Sequence, residues 1–163
     1  MRIAIISDTH DNIWRLDSAM PQLAQSDAIL HCGDLCSPFM ITKLAEGAPD
    51  VPVHIVWGNN DGDKQMLSLK AAEASNMLIH GEMAELTLGG LKIAMNHYPN
   101  IARALAESDL YDVVCYGHDH VQHEEQIGRT LLLNPGEIMG LYGRCSLALL
   151  STKNKKVAWV DIC

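Results

Sequence analysis

Residues 2–12 read RIAIISDTHDN. The run from Arg2 to Ile6 is short and almost wholly apolar, the pattern of a β-strand covered on both faces rather than one half exposed to water. It breaks into the polar cluster Ser7–Asn12, and an apolar-periodic stretch follows at 13–24 with Asn12 placed to cap its N-terminus. The stretch therefore reads strand, polar loop, helix. In layered α/β folds, ligands gather outside the carboxyl ends of the strands, so the loop carrying Asp8 and His10 lies where a site would form.

The same phrase recurs along the chain. Further strands are expected at 28–31 (AILH), 53–57 (VHIVW), 91–95 (LKIAM) and 112–116 (DVVCY). Helices are expected at 38–46, with Ser37 as cap and Pro38 at the first position, at 64–75, and at 99–107 beginning with Pro99. Past this alternation the rhythm changes. Residues 83–96 read as a hairpin turning at Gly89-Gly90, and 121–127, 130–133, 144–151 and 155–161 read as strands. A mixed sheet, or two sheets packed together, fits this better than one parallel doubly wound sheet. The 163 residues carry no repeat or linker, and residues 1–163 are expected to form one domain.

Composition narrows the function classes. Apolar residues make up 48% and charged residues 20%, as in an ordinary globular protein. The net charge of −8 and the lack of a Lys/Arg stripe argue against a nucleic-acid-binding face. No run approaches the roughly 20 apolar residues of a membrane span, and the first run is too short for a secretory signal. The five cysteines (Cys32, Cys36, Cys115, Cys145, Cys163) form no Cys-x-x-Cys pair. They are expected as thiols in a cytoplasmic protein, and the Cys32/Cys36 spacing alone is too weak for a zinc site. Bound cations would let an acidic chain take an anionic substrate.

Each expected strand ends in such a cluster. Asp8 and His10 follow 2–6, Asp34 follows 28–31, and Asn59, Asn60 and Asp61 follow 53–57. His97 follows 91–95, and His118 and His120 follow 112–116. Oxygen and imidazole donors suit Mn²⁺, Fe, Zn²⁺ or Ni²⁺ rather than a thiolate-seeking metal. Seven donors are too many for one tetrahedral ion; they suit two ions sharing a carboxylate, about 3.5–4 Å apart. Water bridging two such ions becomes hydroxide readily, and the ions neutralise a transferring phosphoryl group. Phosphoester hydrolysis is the chemistry this set fits.

The segments SDTHDN, HCGD, WGNND, NHYP, YGHDH and LNPGE, in that order from Ser7 to Glu137, resemble the calcineurin-like metallophosphoesterases, and among them the small bacterial and archaeal phosphodiesterases. The resemblance implies an α/β fold, an αββα sandwich of two mixed β-sheets flanked by helices, with a dinuclear site at one edge. It implies that Asp8, His10 and His120 hold one metal, that Asp34 bridges, and that Asn59, His97 and His118 complete the other. Manganese leads the candidate ions, ahead of Ni²⁺, Fe and Zn²⁺.

Four positions depart from that family's usual pattern. Asn60 stands where many monoesterases carry histidine, which favours a phosphodiesterase, with Asn60 and Asp61 as the catalytic candidates and Asp61 also placed to orient the ligands. Tyr98-Pro99 replaces a glycine after His97; Tyr98 is expected to wall the substrate cleft, and Asn12 to bind substrate or orient ligands. Asp119 replaces a common Thr and Glu137 a common Ser, and both are expected to face solvent. His31 is expected to be a satisfied buried histidine, His54 and His80 to be non-ligands on strands, and His123 to be structural or exposed. The competing reading is a catalytically weak or inactive scaffold of the same fold, as in the retromer subunit, acting through protein–protein contacts; the complete donor set argues against it. Gln122 breaks the metallo-β-lactamase pattern, and neither a P-loop nor a dinucleotide-binding glycine motif is present. The expected partner is a small phosphoester substrate, with homo-oligomerisation left open.

Overall fold

The computed structural model describes residues 1–162, which leaves Cys163 outside the described residues. Among the described residues, eleven strands form two sheets. In the first, β1 (Arg2–Ile6), β2 (Ala28–His31), β3 (Val53–Ile55) and β4 (Met77–Ile79) run parallel. Antiparallel β10 (Ser146–Ser151) then pairs with β1, and β11 (Val157–Asp161) pairs with β10. The second sheet has the order β5-β6-β7-β9-β8, built from β5 (Met83–Leu88), β6 (Leu91–Asn96), β7 (Val113–Cys115), β8 (Gln122–Ile127) and β9 (Thr130–Pro135). Both sheets are mixed: β6, β7 and β9 are parallel, with antiparallel strands at both edges.

The alternation within β1 shows how the layers form. Ala4 and Ile6 pack toward α1 (Ile13–Leu23), α2 (Pro38–Gly47) and α3 (Lys64–Glu73), among Leu16, Ile41, Leu44 and Leu67. Ile3 and Ile5 point the other way, against Ile93, Met95, Val113 and Leu133 of the second sheet. The far face of that sheet is covered by α4 (Pro99–Glu107) through Ala102 and Ala106. The order is thus helices, sheet, sheet, helix, and the uninterrupted apolar strands are explained because water reaches neither face. Asn12 caps α1 by accepting from the Arg15 N–H at 3.1 Å, as expected. Ser37 precedes α2 without a side-chain cap; its hydroxyl donates to Asp11 instead. The strand β4 was not foreseen. No helix among the described residues is long and apolar enough to cross a membrane.

Candidate metal centre

The loops that follow β1, β2, β3, β6 and β7 meet at one edge of the sandwich, and each brings at least one expected donor. The loops after β1, β2 and β7 have strained backbones. Asp8, His10, Asp34, His118 and His120, with Asp11 and Cys36, all have positive φ, between 39° and 80°. Such conformations cost roughly 1–3 kcal/mol each and persist where surrounding contacts over-determine them. One such contact set is visible. Asp61 is buried, and its two oxygens accept from the backbone N–H groups of Asp34, Leu35, Cys36 and Gly58 at 2.6–3.1 Å. Hydrogen bonds to a charged group contribute roughly 1.5–3 kcal/mol each, so these four outweigh the strain at Asp34 and Cys36. Two glycines are also required here. A Cβ at Gly58 would lie 2.1 Å from Asp34 Oδ1, and one at Gly117 would lie 2.7 Å from Asp8 Oδ2.

The donor atoms converge as two overlapping groups, Asp8 with His10 and His120, and Asp8 with Asp34 and His97, with Asp34 Oδ2 within 3.5 Å of a histidine of each. In the first, His10 Nε2 is 3.6 Å from Asp8 Oδ1 and 3.4 Å from Asp34 Oδ2, and His120 Nε2 is 3.4 Å from Asp8 Oδ1. In the second, His97 Nε2 is 3.5 Å from Asp34 Oδ2, while Asn59 Oδ1 is 3.1 Å from His97 Nε2 and 2.8 Å from His118 Nδ1. Two ligands each about 2.0–2.2 Å from one tetrahedral ion stand roughly 3.4 Å apart. Most of these pairs have that spacing, which is long for a hydrogen bond. Asp8 Oδ1 and His10 Nε2 are buried and have no hydrogen-bond partner at all. Buried polar atoms are seldom left unsatisfied, so a cation fits this donor set.

Three of the four histidines are aimed by their other nitrogen. His97 Nδ1–H donates to the Cys32 carbonyl at 2.7 Å, which leaves Nε2 free to ligate. His120 Nδ1–H donates to Glu137 at 2.6 Å. Behind His10 lies Cys36 Sγ, 3.4 Å from Nδ1. The charges are complementary. His10 is raised above its ordinary pKa, chiefly by the Asp8 carboxylate beside it. Burial pushes His97 down, yet the Asp34 carboxylate 3.5 Å away outweighs it and the net shift is upward. Burial likewise works to raise Asp34, but the nearby His97 imidazole and the two hydrogen bonds from Asn60 hold it well below the usual carboxylate range.

The remaining expected residues divide. Asn60 lies beside the donor set, but its N–H and its side-chain amide both donate to Asp34, at 2.7 and 2.8 Å. Asp61 is wholly engaged with backbone and so shapes the loops. The oxygen of Asn12 caps α1, and its amide donates to the Met139 carbonyl at 2.9 Å. Tyr98 does line the donors, its ring edge-on to His97 and His118 with centroids 5.2 Å apart in each case. Asp119 is exposed as expected, one oxygen accepting from Asn134.

Glu137 corrects the expectation of a solvated side chain: it is fully buried. One oxygen takes His120, and the other accepts from the N–H groups of Tyr142 and Gly143. A carboxylate behind a ligating imidazole fixes its tautomer and orientation. The chain signal that could have found it is an acid where the motif usually has Ser. His31 is buried, receives the Gly33 N–H and faces Thr9, and burial pushes it down to about 4, so it stays neutral. His123 pairs with the Tyr116 hydroxyl at 2.8 Å, away from the donors. A cavity of about 650 Å³ lies at the other end of β1, between Met1, Arg2 and Lys156, and contains none of the donors.

The arrangement has known counterparts. The family model for the calcineurin-like phosphoesterase superfamily domain matches residues 1–155. A phosphodiesterase of Methanocaldococcus jannaschii is 30% identical over 161 residues, covering 96% of both chains. A probable metallophosphoesterase of Bacillus subtilis is 32% identical over 143 residues, covering 85% of this chain and 75% of the relative. The solved structure of an archaeal phosphodiesterase superposes with a TM-score of 0.91 at 29% identity, covering 99% of each chain. The zinc complex of Vps29 from Entamoeba histolytica, at 20% identity, a TM-score of 0.64 and 100% of each chain covered, shares the fold alone. With six motifs in order, the two-sheet sandwich and a matching family model over nearly its whole length, this chain belongs to the calcineurin-like phosphoesterase superfamily and is a metal-dependent phosphoric ester hydrolase.

Proposed function

We propose that the enzyme hydrolyses phosphodiesters at two divalent cations. Asp8, His10 and His120 hold one, Asn59, His97 and His118 the other, and Asp34 bridges them. The observation that carries this reading is the position of Asp34 Oδ2, 3.4 Å from His10 Nε2 and 3.5 Å from His97 Nε2. One carboxylate oxygen thus faces a histidine of each donor group. Bound ions, Mn²⁺ first among the candidates, supply the acidity that makes water a nucleophile and the positive charge that receives phosphoryl oxygens.

The chain's own residues do the rest. Asn60 steadies Asp34 through two hydrogen bonds, and Asp61 fixes the loops on either side. Tyr98 walls the cleft on the side of His97 and His118. An alkyl phosphomonoester expels a poorly stabilised alkoxide and gains about 10²–10⁴-fold from a positioned acid. Asn60, at the position where many relatives carry histidine, cannot deliver a proton. Diesters with good leaving groups are therefore the preferred class. Residues 1–163 act as one domain, and buried thiols at Cys32 and Cys115 suit a reducing cytoplasm.

The test is reconstitution of metal-stripped protein with Mn²⁺. Elemental analysis should approach two ions per chain, and kcat/KM should be higher for bis-p-nitrophenyl phosphate than for p-nitrophenyl phosphate. Saturation at one ion would remove the dinuclear reading, and a preference for the monoester would remove the diesterase reading.

A further inference from the structure

The loop after Glu137 is built into the site and has no role in the reading above. Ile138 N–H donates to the Ser7 carbonyl and Met139 N–H to the Asp8 carbonyl, at 3.1 and 2.9 Å. The Met139 carbonyl accepts from Asn12 at 2.9 Å, and Tyr142 and Gly143 are held by Glu137. A Cβ at Gly143 would meet the His120 carbonyl oxygen at 2.8 Å, so only glycine lets the loop lie this close. The outcome is a tyrosine fixed over a metal donor. The Tyr142 ring stands edge-on to His120, with centroids 5.3 Å apart and planes at 88°, while 76% of the residue is exposed. Tyr98 makes the same kind of contact with His118, a donor of the other group. Each half of the donor set thus has a tyrosine ring against one of its imidazoles.

A large apolar ring held open to water beside a reaction centre loses the burial that usually stabilises aromatic side chains, and gains it when a flat partner covers it. We infer that Tyr142 forms a subsite for a planar aromatic group on the phosphodiester oxygen that does not leave. The inference rests on the diesterase reading and names its substrate class: a diester bearing an aryl ring or a nucleobase rather than two small alkyl groups. Aromatic stacking is tolerant of ring identity and is worth about tenfold or more in affinity. Glu137 links the subsite to the metal ligand, because one carboxylate orders both the loop and His120.

The experiment compares three substrates with the same p-nitrophenolate leaving group and different spectators: the methyl ester, bis-p-nitrophenyl phosphate and the thymidine 5′ ester. The wild type should prefer the two aromatic spectators in kcat/KM. In Tyr142→Ala that preference should fall about tenfold, mainly through KM, and Tyr142→Phe should keep it. A loss in one aromatic substrate only tells an aryl site from a nucleobase site, and either supports the subsite. An equal loss across all three, or a preference unchanged in Tyr142→Ala, overturns it, as would a Tyr142→Phe variant behaving like alanine. Failure of the wild type to cleave any of the three with metal bound would instead strike the diesterase reading, and the subsite would fall with it.

Discussion

Two pairs of histidines in this protein are stacked almost identically and do opposite things. His10 and His120 lie with ring centroids 5.2 Å apart and planes 22° apart; His54 and His80 have the same spacing at 29°. The first pair faces three carboxylates, those of Asp8, Asp34 and Glu137, and His10 has no hydrogen-bond partner at Nε2. The second pair hydrogen-bonds to itself, His54 Nδ1 to His80 Nε2 at 3.0 Å. Burial lowers both members, and the charge of His80 lowers His54 further, whereas His10 is raised. Ring geometry therefore does not make a metal site. Surrounding negative charge and nitrogen atoms left unsatisfied do.

The largest effect should separate the pairs outright. Asp34→Asn keeps the shape of the residue proposed to bridge and removes a charge that lies within 3.5 Å of both His10 and His97. Ion content should drop below one per chain, with a loss of activity beyond the roughly 10–100-fold that changes behind the ligands produce. The double variant His54→Ala/His80→Ala should keep its full ion content and a kcat/KM within about twofold of the parent, as expected of changes with no shared partners. Loss of an ion from that double variant would break the comparison.

Glu137→Gln sharpens it within the first pair. Gln can still receive the Tyr142 and Gly143 N–H groups, but its amide then faces the His120 Nδ1–H with another donor. Metal affinity should fall by roughly 10–100-fold, with the far-UV spectrum unchanged. An unaltered affinity would mean that Glu137 serves the loop alone.

How much of this could be read from the chain depends on distance along it. The strands at 2–6 and 28–31 and the donors behind them were legible because apolar runs and polar loops are local patterns. The strand Met77–Ile79 was not, since three residues show no period and pairing with β3 alone defines them. Glu137 read as a polar turn residue because its partner is 17 positions away and is reached only because β9 lies beside β7. The His54–His80 pair was missed for the same reason: it exists only through the β3–β4 register, which sets His54 opposite Leu78. Spacing puts Asn60 next to the expected donors, yet its two hydrogen bonds to Asp34 depend on a loop fold that spacing does not specify.

The smallest effect lies in the second pair and concerns stability rather than activity. Both imidazoles have folded pKa values below the ordinary 6.5. As pH falls through that value the unfolded chain takes up protons first, so the pair costs the folded state stability on the acid side and contributes nothing above it. His31, pushed down to about 4, has the same sign and is present in every variant, so it cancels from a comparison. Measured on metal-loaded protein, the urea midpoint should drop between pH 7 and 5.5 in the wild type and drop less in His54→Gln. The glutamine can still hydrogen-bond to His80 but cannot be charged. Equal acid sensitivity in the two proteins would show that the half-exposed pair is shielded by water, and that only the carboxylate-faced pair senses its surroundings.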